Sequence, residues 1–138
     1  MINEPMTKEP LNQISEKLFF IKDEYDLIKI NPQDILFIEA DKDYVIINTS
    51  NKIYDKIHLT MTDIMPLLPK GDFLRVHRGY IVRLDKITKI TLKENHCIIN
   101  EKKIPFGSRF RKDLLASLTI LAGVYHNRKK IPTSNKTI

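Results

Sequence analysis

Three arginines and a histidine lie within residues 73–83, whose sequence is Phe-Leu-Arg-Val-His-Arg-Gly-Tyr-Ile-Val-Arg. Apolar residues separate these cations at the spacing of a β-strand, so the apolar side chains can anchor the segment in a sheet while the cationic ones project outward. An arginine guanidinium pairs bidentately with a phosphate group or with the edge of a guanine. A cationic edge strand that resists aggregation accounts for one such residue, but not for arginine at Arg75, Arg78 and Arg83. The segment is therefore a candidate for binding a polyanion.

A second cationic segment, from Lys102 to Lys112, follows about one hairpin later in the chain. Gly107 and Ser108 predict the start of a helix directly before Arg109 and Arg111, with Ser108 as the capping residue. Free backbone N–H groups at a helix N-terminus, together with the helix dipole, favour a bound phosphate. A capped helix with a solvated cationic face is the alternative interpretation.

Charge is distributed unevenly along the chain, which has 138 residues and a formal net charge of +6. Residues 1–50 contain five Lys/Arg and ten Asp/Glu, whereas residues 51–138 contain eighteen Lys/Arg and seven Asp/Glu. A strongly basic part of this kind is typical of proteins that bind nucleic acid or an anionic membrane surface. A solvated lysine-rich surface is the alternative, because net charge affects association and does not determine the fold.

Residues suited to catalysis or to metal binding do not form a recognisable set. The four histidines are dispersed at His58, His77, His96 and His126, and no His/Cys/Asp cluster has the spacing of a metal site. The four glycines form neither a dinucleotide loop nor a phosphate-binding loop. Cys97 lies in an apolar stretch, which indicates a buried thiol and not a nucleophile. We therefore expect no enzymatic activity, no catalytic residue, no metal site and no cofactor.

Length and composition limit the class of protein to which the chain can belong. A chain of 138 residues with 42% hydrophobic residues accommodates one domain with its own core. No apolar run approaches the roughly 18 residues that a membrane-spanning helix needs. A single cysteine suits a reducing compartment. We expect a cytoplasmic protein with no membrane partner.

Short apolar runs separated by polar turns predict a mainly all-β domain with about ten short strands. The expected strands span residues 18–21, 27–30, 34–40, 44–49, 52–57, 73–76, 80–82, 86–92, 96–100 and 102–104. A short helix is expected near residues 60–68, where Thr60 is placed to cap it and Pro66 to distort its end. A C-terminal helix is expected near residues 108–121. Its apolar face is formed by Phe110, Leu114, Leu115, Leu118 and Leu121.

Three regions follow from this pattern. Residues 1–17 are interpreted as a polar leader or linker, and residues 18–121 as the folded domain. Residues 122–138 are interpreted as a basic tail, which we predict to be disordered. Most aromatic residues of the domain fall at expected core positions, and these are Phe19, Phe20, Phe37, Phe73, Phe106 and Phe110.

Five sequence motifs occur in a characteristic order. The most specific is Phe-x-Arg-Val-His-Arg-x-Tyr-Ile-Val at residues 73–82, followed by Ile87 and Ile90. The others are Asp-Ile-x-x-Ile-Glu-Ala at residues 34–40, the turn at residues 41–44, Leu-Leu-Pro at residues 67–69 and Pro-x-x-Ser-Arg-Phe at residues 105–110. In this order the motifs resemble the LytTR-type DNA-binding domain of bacterial response regulators and stand-alone transcription factors. The resemblance extends from about Leu18 to Leu118.

This resemblance implies three small antiparallel sheets with one or two short helices. It also implies that loops, and not a recognition helix, enter successive major grooves on one face of the DNA duplex. The residues that it implies as base contacts are Arg78, Arg109, Lys42 and Tyr44. The residues that it implies as phosphate contacts are His77, Ser108, Arg111, Lys112 and Arg83.

Three positions depart from the family's pattern. Gly79 and Gly107 stand where serine is common, and Arg83 stands where asparagine is common. These differences are expected to alter the preferred DNA sequence more than to abolish binding.

The main functional hypothesis is a sequence-specific double-stranded DNA-binding protein that acts as a bacterial transcriptional regulator. The resemblance implies paired direct-repeat sites, on which two copies can form a weak or DNA-induced dimer. An upstream sensor or regulatory protein is a further partner that such a regulator implies. We interpret the chain as a stand-alone regulator, and an excised C-terminal domain is the alternative. An RNA-binding or protein-interaction β module that uses the same basic face is the second functional hypothesis.

Overall fold

The computed structural model describes residues 18–124 of the chain. The predicted leader, residues 1–17, and residues 125–138 of the predicted tail lie outside this range. Within the described range, ten strands form three antiparallel sheets, and two short α-helices complete the fold. The predicted fold class, mainly all-β with three small antiparallel sheets, is confirmed.

The strands of the described part alternate with short turns. They are β1 (Phe19–Asp23), β2 (Asp26–Ile30), β3 (Ile35–Asp41), β4 (Tyr44–Thr49), β5 (Ile53–Ile57), β6 (Phe73–His77), β7 (Tyr80–Arg83), β8 (Lys89–Thr91), β9 (His96–Ile99) and β10 (Lys102–Pro105). The helices are α1 (Met61–Ile64) and α2 (Ser108–Ala116). One sheet pairs β1 with β2, a second has the order β10-β9-β8, and the largest has the order β5-β4-β3-β7-β6.

The five-stranded sheet lies between two apolar clusters and contributes side chains to both. In β3, Ile35 and Ile38 pack into the cluster that includes β1, β2 and α1, whereas Leu36 and Phe37 pack into the cluster that includes β9, β10 and α2. Strict alternation would put Ile35 and Ile38 on opposite faces, but the pairing with β4 shifts register between Ile35 and Phe37. Because both faces of this sheet are covered, β3 is buried over four successive residues.

Helix α1 begins and ends as its sequence predicts. The Thr60 hydroxyl oxygen accepts a hydrogen bond of 3.0 Å from the backbone N–H of Asp63, which caps the first turn. Met61 and Ile64 are buried against the first apolar cluster. Pro66 lies in the 3-10 turn that follows directly, because its ring removes the N–H that another helical turn needs. The predicted cap and the predicted effect of Pro66 are both confirmed.

Helix α2 is shorter than the predicted span of residues 108–121, since it ends at Ala116. The Ser117 hydroxyl donates a hydrogen bond of 2.6 Å to the Leu114 carbonyl and so competes with the backbone for it. Leu114 is fully buried, but Leu121 is 91% exposed. The expected apolar face is therefore correct at Leu114 and wrong at Leu121.

Two other local expectations differ from the structure. The strand predicted at residues 86–92 is reduced to β8, because Leu84–Lys86 form a 3-10 turn in which the Ile87 N–H donates to the Leu84 carbonyl over 3.2 Å. Phe20 is 49% exposed and not in the core, since it lies on the outer face of the two-stranded sheet.

None of the helices in the described range is long and apolar enough to span a membrane.

Candidate nucleic-acid interface

The hairpin of β6 and β7 places Arg78 at the tip of an exposed turn. His77 pairs with Tyr80, so Arg78 and Gly79 are the two central residues of this turn. The register of the two strands shifts just before His77 and leaves one extra residue, Val76, in β6. Val76 is fully buried while Arg78 is exposed, so the bulge anchors the hairpin and the turn faces solvent.

Two side chains of β6 hold this turn. Arg75 donates from Nη2 to the Arg78 carbonyl over 2.6 Å and from Nε to the His77 carbonyl over 3.4 Å. The Gly79 N–H donates to His77 Nδ1 over 3.0 Å. Because Nδ1 accepts this bond, the neutral imidazole carries its proton on Nε2, which remains a donor. The sequence pattern identifies Arg75 as a cation but does not indicate that its side chain binds the turn.

The turn between β3 and β4 carries the first predicted base contacts. Asp41 pairs with Tyr44, which leaves Lys42 exposed near the tip with a positive φ of 59°. Tyr44 is 39% exposed, and its ring lies 5.4 Å from the ring of His58, measured between centroids. In the sequence His58 is only one of four dispersed histidines. Its position beside Tyr44 depends on the pairing of β4 with β5, which the local sequence does not show.

The connection between β10 and α2 carries Arg109. Gly107 is the N-cap residue, with φ −76° and ψ 153°, and no side chain caps the helix. The predicted capping role of Ser108 is wrong, because the helix begins one residue earlier with a bond of 2.9 Å from the Phe110 N–H to the Gly107 carbonyl. Ser108 and Arg109 are exposed in the first turn, where backbone N–H groups have no intrahelical partner.

Backbone hydrogen bonds at residues within or next to these three connections link each one to its neighbour. The Ala40 N–H donates to the Gly79 carbonyl over 2.9 Å, which extends the pairing of β3 with β7 up to the two turns. The Gly107 N–H donates to the Val76 carbonyl over 2.8 Å. Val76 is the extra residue of the bulge in β6, so it has no paired residue in β7. The β6–β7 turn is thus bonded to both neighbours. We call residues 41–44, 77–80 and 107–109 the connection cluster.

Arg111 and Lys112 follow the connection cluster on α2 and differ in environment. Arg111 is half-buried and donates from Nη1 to Asn95 Oδ1 over 2.6 Å and to the Leu92 carbonyl over 3.0 Å. The Asn95 carbonyl accepts from the Phe106 N–H over 2.9 Å, so Arg111 holds the β8–β9 turn against the backbone that precedes α2. Lys112 is exposed. Phosphate contact by Arg111 stays a prediction, to which the structure adds an internal role.

Arg83 lies inside the protein, with 7% of its surface exposed. Its guanidinium donates to Asp85 Oδ1 over 2.9 Å and to the Pro32 carbonyl over 3.2 Å, and it lies 5.3 Å from the centre of the Phe73 ring. The antiparallel register pairs Arg83 with Phe73, so the two side chains lie on the same face of the sheet. Nε and Nη1 of this guanidinium thus have internal partners, and phosphate contact by Arg83 stays a prediction.

Cys97 and the acidic residues offer no second site. Cys97 is fully buried in β9, and this burial raises the pKa of its thiol to about 11, which confirms the predicted buried thiol. Among residues 18–124, no group of His, Cys, Asp and Glu is arranged to hold a metal ion. The connection cluster exposes cations and donors at Lys42, Arg78, Ser108 and Arg109, which suit an anionic partner, beside two carboxylates at Asp41 and Asp43.

Comparison with protein families matches residues 25–119 to the family described as the LytTr DNA-binding domain. Two curated relatives, from Bacillus anthracis and Bacillus cereus, are each called sensory transduction protein LytT and are each 29% identical over 101 residues. The alignment covers 70% of this chain and 41% of each relative, so the chain spans about two fifths of their length.

A solved structure has the same fold. It is the LytTr DNA-binding domain of a methyl-accepting/DNA response regulator from Bacillus cereus, and it matches with a TM-score of 0.65 at 17% sequence identity. The match covers 77% of this chain and 100% of that domain.

Proposed function

Because the chain belongs to the LytTr DNA-binding domain family, whose domains bind DNA and regulate transcription, we propose that it reads the sequence of double-stranded DNA with the connection cluster. In this proposal the connections at residues 41–44, 77–80 and 107–109 enter successive major grooves on one face of the duplex. The protein then acts as a bacterial transcriptional regulator in the cytoplasm, where the genome lies.

The observation that supports the proposal most is the backbone bonding beside the three connections. The bonds from Ala40 to Gly79 and from Gly107 to Val76 fix each connection relative to the next before any ligand binds. Loops that are ordered in advance lose less conformational entropy on binding, so more of the contact energy is available for affinity. The three connections therefore behave as one preorganised surface.

Arg78 and Arg109 are the proposed base-reading residues. Both are exposed within the connection cluster, and a guanidinium matches the O6 and N7 acceptors of guanine in the major groove. The Arg109 guanidinium lies 5.1 Å from the centre of the Phe110 ring, which narrows the orientations that it samples. Each arginine should contribute about 1–3 kcal/mol of discrimination against a wrong base. Lys42 and Tyr44 are the proposed base contacts of the first connection.

Phosphate binding is proposed for donors beside these residues. Lys112 supplies an exposed ammonium group, and Ser108 supplies a hydroxyl at the uncapped start of α2. His77 supplies Nε2–H, since its other ring nitrogen is used by Gly79. Each neutralised phosphate steepens the fall of log affinity with log salt concentration by about 0.9.

RNA binding is the second candidate function and has less support. RNA-binding modules stack unpaired bases on exposed aromatic rings. Phe37, Phe73 and Phe106 are buried, and at the connection cluster the Tyr44 ring packs against His58. Phe20 is exposed, but it lies in the two-stranded sheet.

A selection from a randomised duplex library tests the proposal with the full chain. We expect an enriched motif, steep salt dependence, and weak competition by structured RNA at matched salt. A library that returns no enriched motif would contradict sequence-specific reading. Stronger competition by RNA than by the enriched duplex would favour the second candidate.

Two further partners belong to the proposal. Paired direct repeats in the enriched motif would indicate two bound copies, as a weak or DNA-induced dimer. The two curated relatives are named for sensory transduction, so we also propose that an upstream sensor or regulatory protein controls this DNA-binding domain. Analytical ultracentrifugation with and without the enriched duplex distinguishes a preformed dimer from a DNA-induced one.

A further inference from the structure

We infer that Arg75 is a positioning residue that fixes the turn carrying Arg78, an inference that rests on the proposed base-reading role of Arg78. Arg75 lies in β6, and its guanidinium reaches along the hairpin to two successive carbonyls of the turn. The bond to the Arg78 carbonyl is 2.6 Å and the bond to the His77 carbonyl is 3.4 Å. Arg75 thus binds the backbone of the residue whose side chain reads the base.

The turn needs such a bond because its own backbone supplies little constraint. Neither Arg78 nor Gly79 has a positive φ, so the turn is not one of the tight primed types that fix a two-residue hairpin. The bulge at Val76 also interrupts the ladder directly before the turn. A bond from Arg75 to the Arg78 carbonyl restrains the peptide that follows Arg78 and hence the direction of the Arg78 side chain.

Arginine suits this role better than lysine does. The planar guanidinium presents several N–H donors in a fixed geometry, so two of them can reach carbonyls of adjacent residues at once. A lysine ammonium is a single flexible point charge and would keep the positive charge while losing the paired bonds. Since the Arg75 donors face carbonyl groups of the protein, Arg75 is assigned to the turn and not to a phosphate.

The charge-conserving variant Arg75→Lys separates positioning from phosphate binding. Affinities of the full chain are measured for the duplex enriched from the random library and for a scrambled duplex of the same composition, over a series of salt concentrations. We expect the preference for the enriched duplex to fall about tenfold, because one arginine's base contact is lost. We expect the salt slope and the affinity for the scrambled duplex to be unchanged. Retained preference in Arg75→Lys, with weaker binding to both duplexes in Arg75→Gln, would instead assign Arg75 to a phosphate.

A double-mutant cycle tests whether Arg75 acts through Arg78. In the Arg78→Ala background, Arg75→Lys should cause no further loss of preference, because the side chain that it positions is absent. An equal loss in both backgrounds would overturn the inference and indicate a general structural effect of Arg75.

The turn itself can be observed without DNA, which separates this inference from the proposed function. In the ¹⁵N–¹H spectrum of the full chain, Arg75→Lys should shift the amide signals of Gly79 and Tyr80, while the charge-removing control Lys29→Ala in β2 should leave them in place. Unchanged signals in Arg75→Lys would overturn the positioning role whatever the DNA result. If Arg78→Ala alone kept full preference, the reading role of Arg78 would fail, and the amide signals would still decide whether Arg75 holds the turn.

Discussion

The backbone N–H of Gly107 donates a hydrogen bond of 2.8 Å to the carbonyl of Val76. This bond ties the start of α2 to the bulge of β6, and so it ties the connection that carries Arg109 to the turn that carries Arg78. Residues 31 positions apart in the sequence are thereby held in one surface. The relative placement of the two arginines is a property of the fold and does not depend on DNA.

Removing this one donor should lower both stability and DNA preference. Gly107→Pro removes the N–H, and the φ of −76° is compatible with proline. Gly107→Ala is the matched control, because it adds the same Cβ near Phe110 but keeps the donor. We expect the proline variant to be less stable than the alanine variant by at least about 1–3 kcal/mol, since the Val76 carbonyl loses its partner and the proline Cδ takes the place of the N–H beside that carbonyl. Urea unfolding measures the difference, and equal stabilities would show that the bond contributes little.

Removing an exposed lysine on α2 should weaken binding to all sequences alike. Lys112→Ala is expected to lower affinity for the enriched and the scrambled duplex by the same factor and to reduce the salt slope by about 0.9. Lys29→Ala removes the same charge from the two-stranded sheet and serves as the control. Filter binding over a salt series measures both slopes. A loss confined to the enriched duplex would make Lys112 a base contact.

Serine should be accepted at Gly79. This glycine does not have a positive φ, and an added Cβ would lie 3.5 Å from its nearest neighbour, His77 Nδ1. We expect Gly79→Ser to raise the free energy of unfolding by about 0.4–1 kcal/mol, because the unfolded chain loses entropy, and to add a hydroxyl donor at the turn. Gly71→Ser is the contrasting control. Because Gly71 has a φ of 87°, we expect this variant to have a lower free energy of unfolding. Thermal unfolding compares the two, and destabilisation at Gly79 equal to that at Gly71 would contradict the turn geometry.

The buried thiol should make stability fall at high pH. Burial raises the pKa of Cys97 from its ordinary value of 9.0 to about 11, so the unfolded chain ionises first as pH rises. The contribution of about 3 kcal/mol is complete below pH 9.0 and is lost between pH 9.0 and about 11. Urea unfolding over this range measures it against Cys97→Ala, which lacks the thiol. Identical pH profiles for the two proteins, or rapid alkylation of folded Cys97 at pH 8, would contradict the burial.

The predictable parts of the fold depend on local chemistry. Apolar periodicity and turn residues located the strands, and the spacing from Thr60 to Asp63 located the start of α1. The early end of α2 was missed because it depends on the Ser117 hydroxyl, which binds the Leu114 carbonyl instead of remaining in solvent.

The candidate site was predictable as a set of positions but not as a set of contacts. The sequence shows Arg75, Arg83 and Arg111 as cations of two basic segments, and nothing in their local sequence distinguishes them from exposed ones. The partners of two of them lie elsewhere in the fold: Arg83 binds Pro32, which is 51 residues away, and Arg111 binds Asn95 in the β8–β9 turn. Which arginine faces solvent is decided by strand register, and register is not visible in the composition of the segment.

We propose that Arg78 and Arg109 read different bases from one preorganised surface. The most direct measurement repeats the random-library selection with the full chain and with Arg78→Ala and Arg109→Ala. We expect each variant to lose preference at its own block of base pairs and to keep the other block. Two variants that both return the unaltered motif would contradict it.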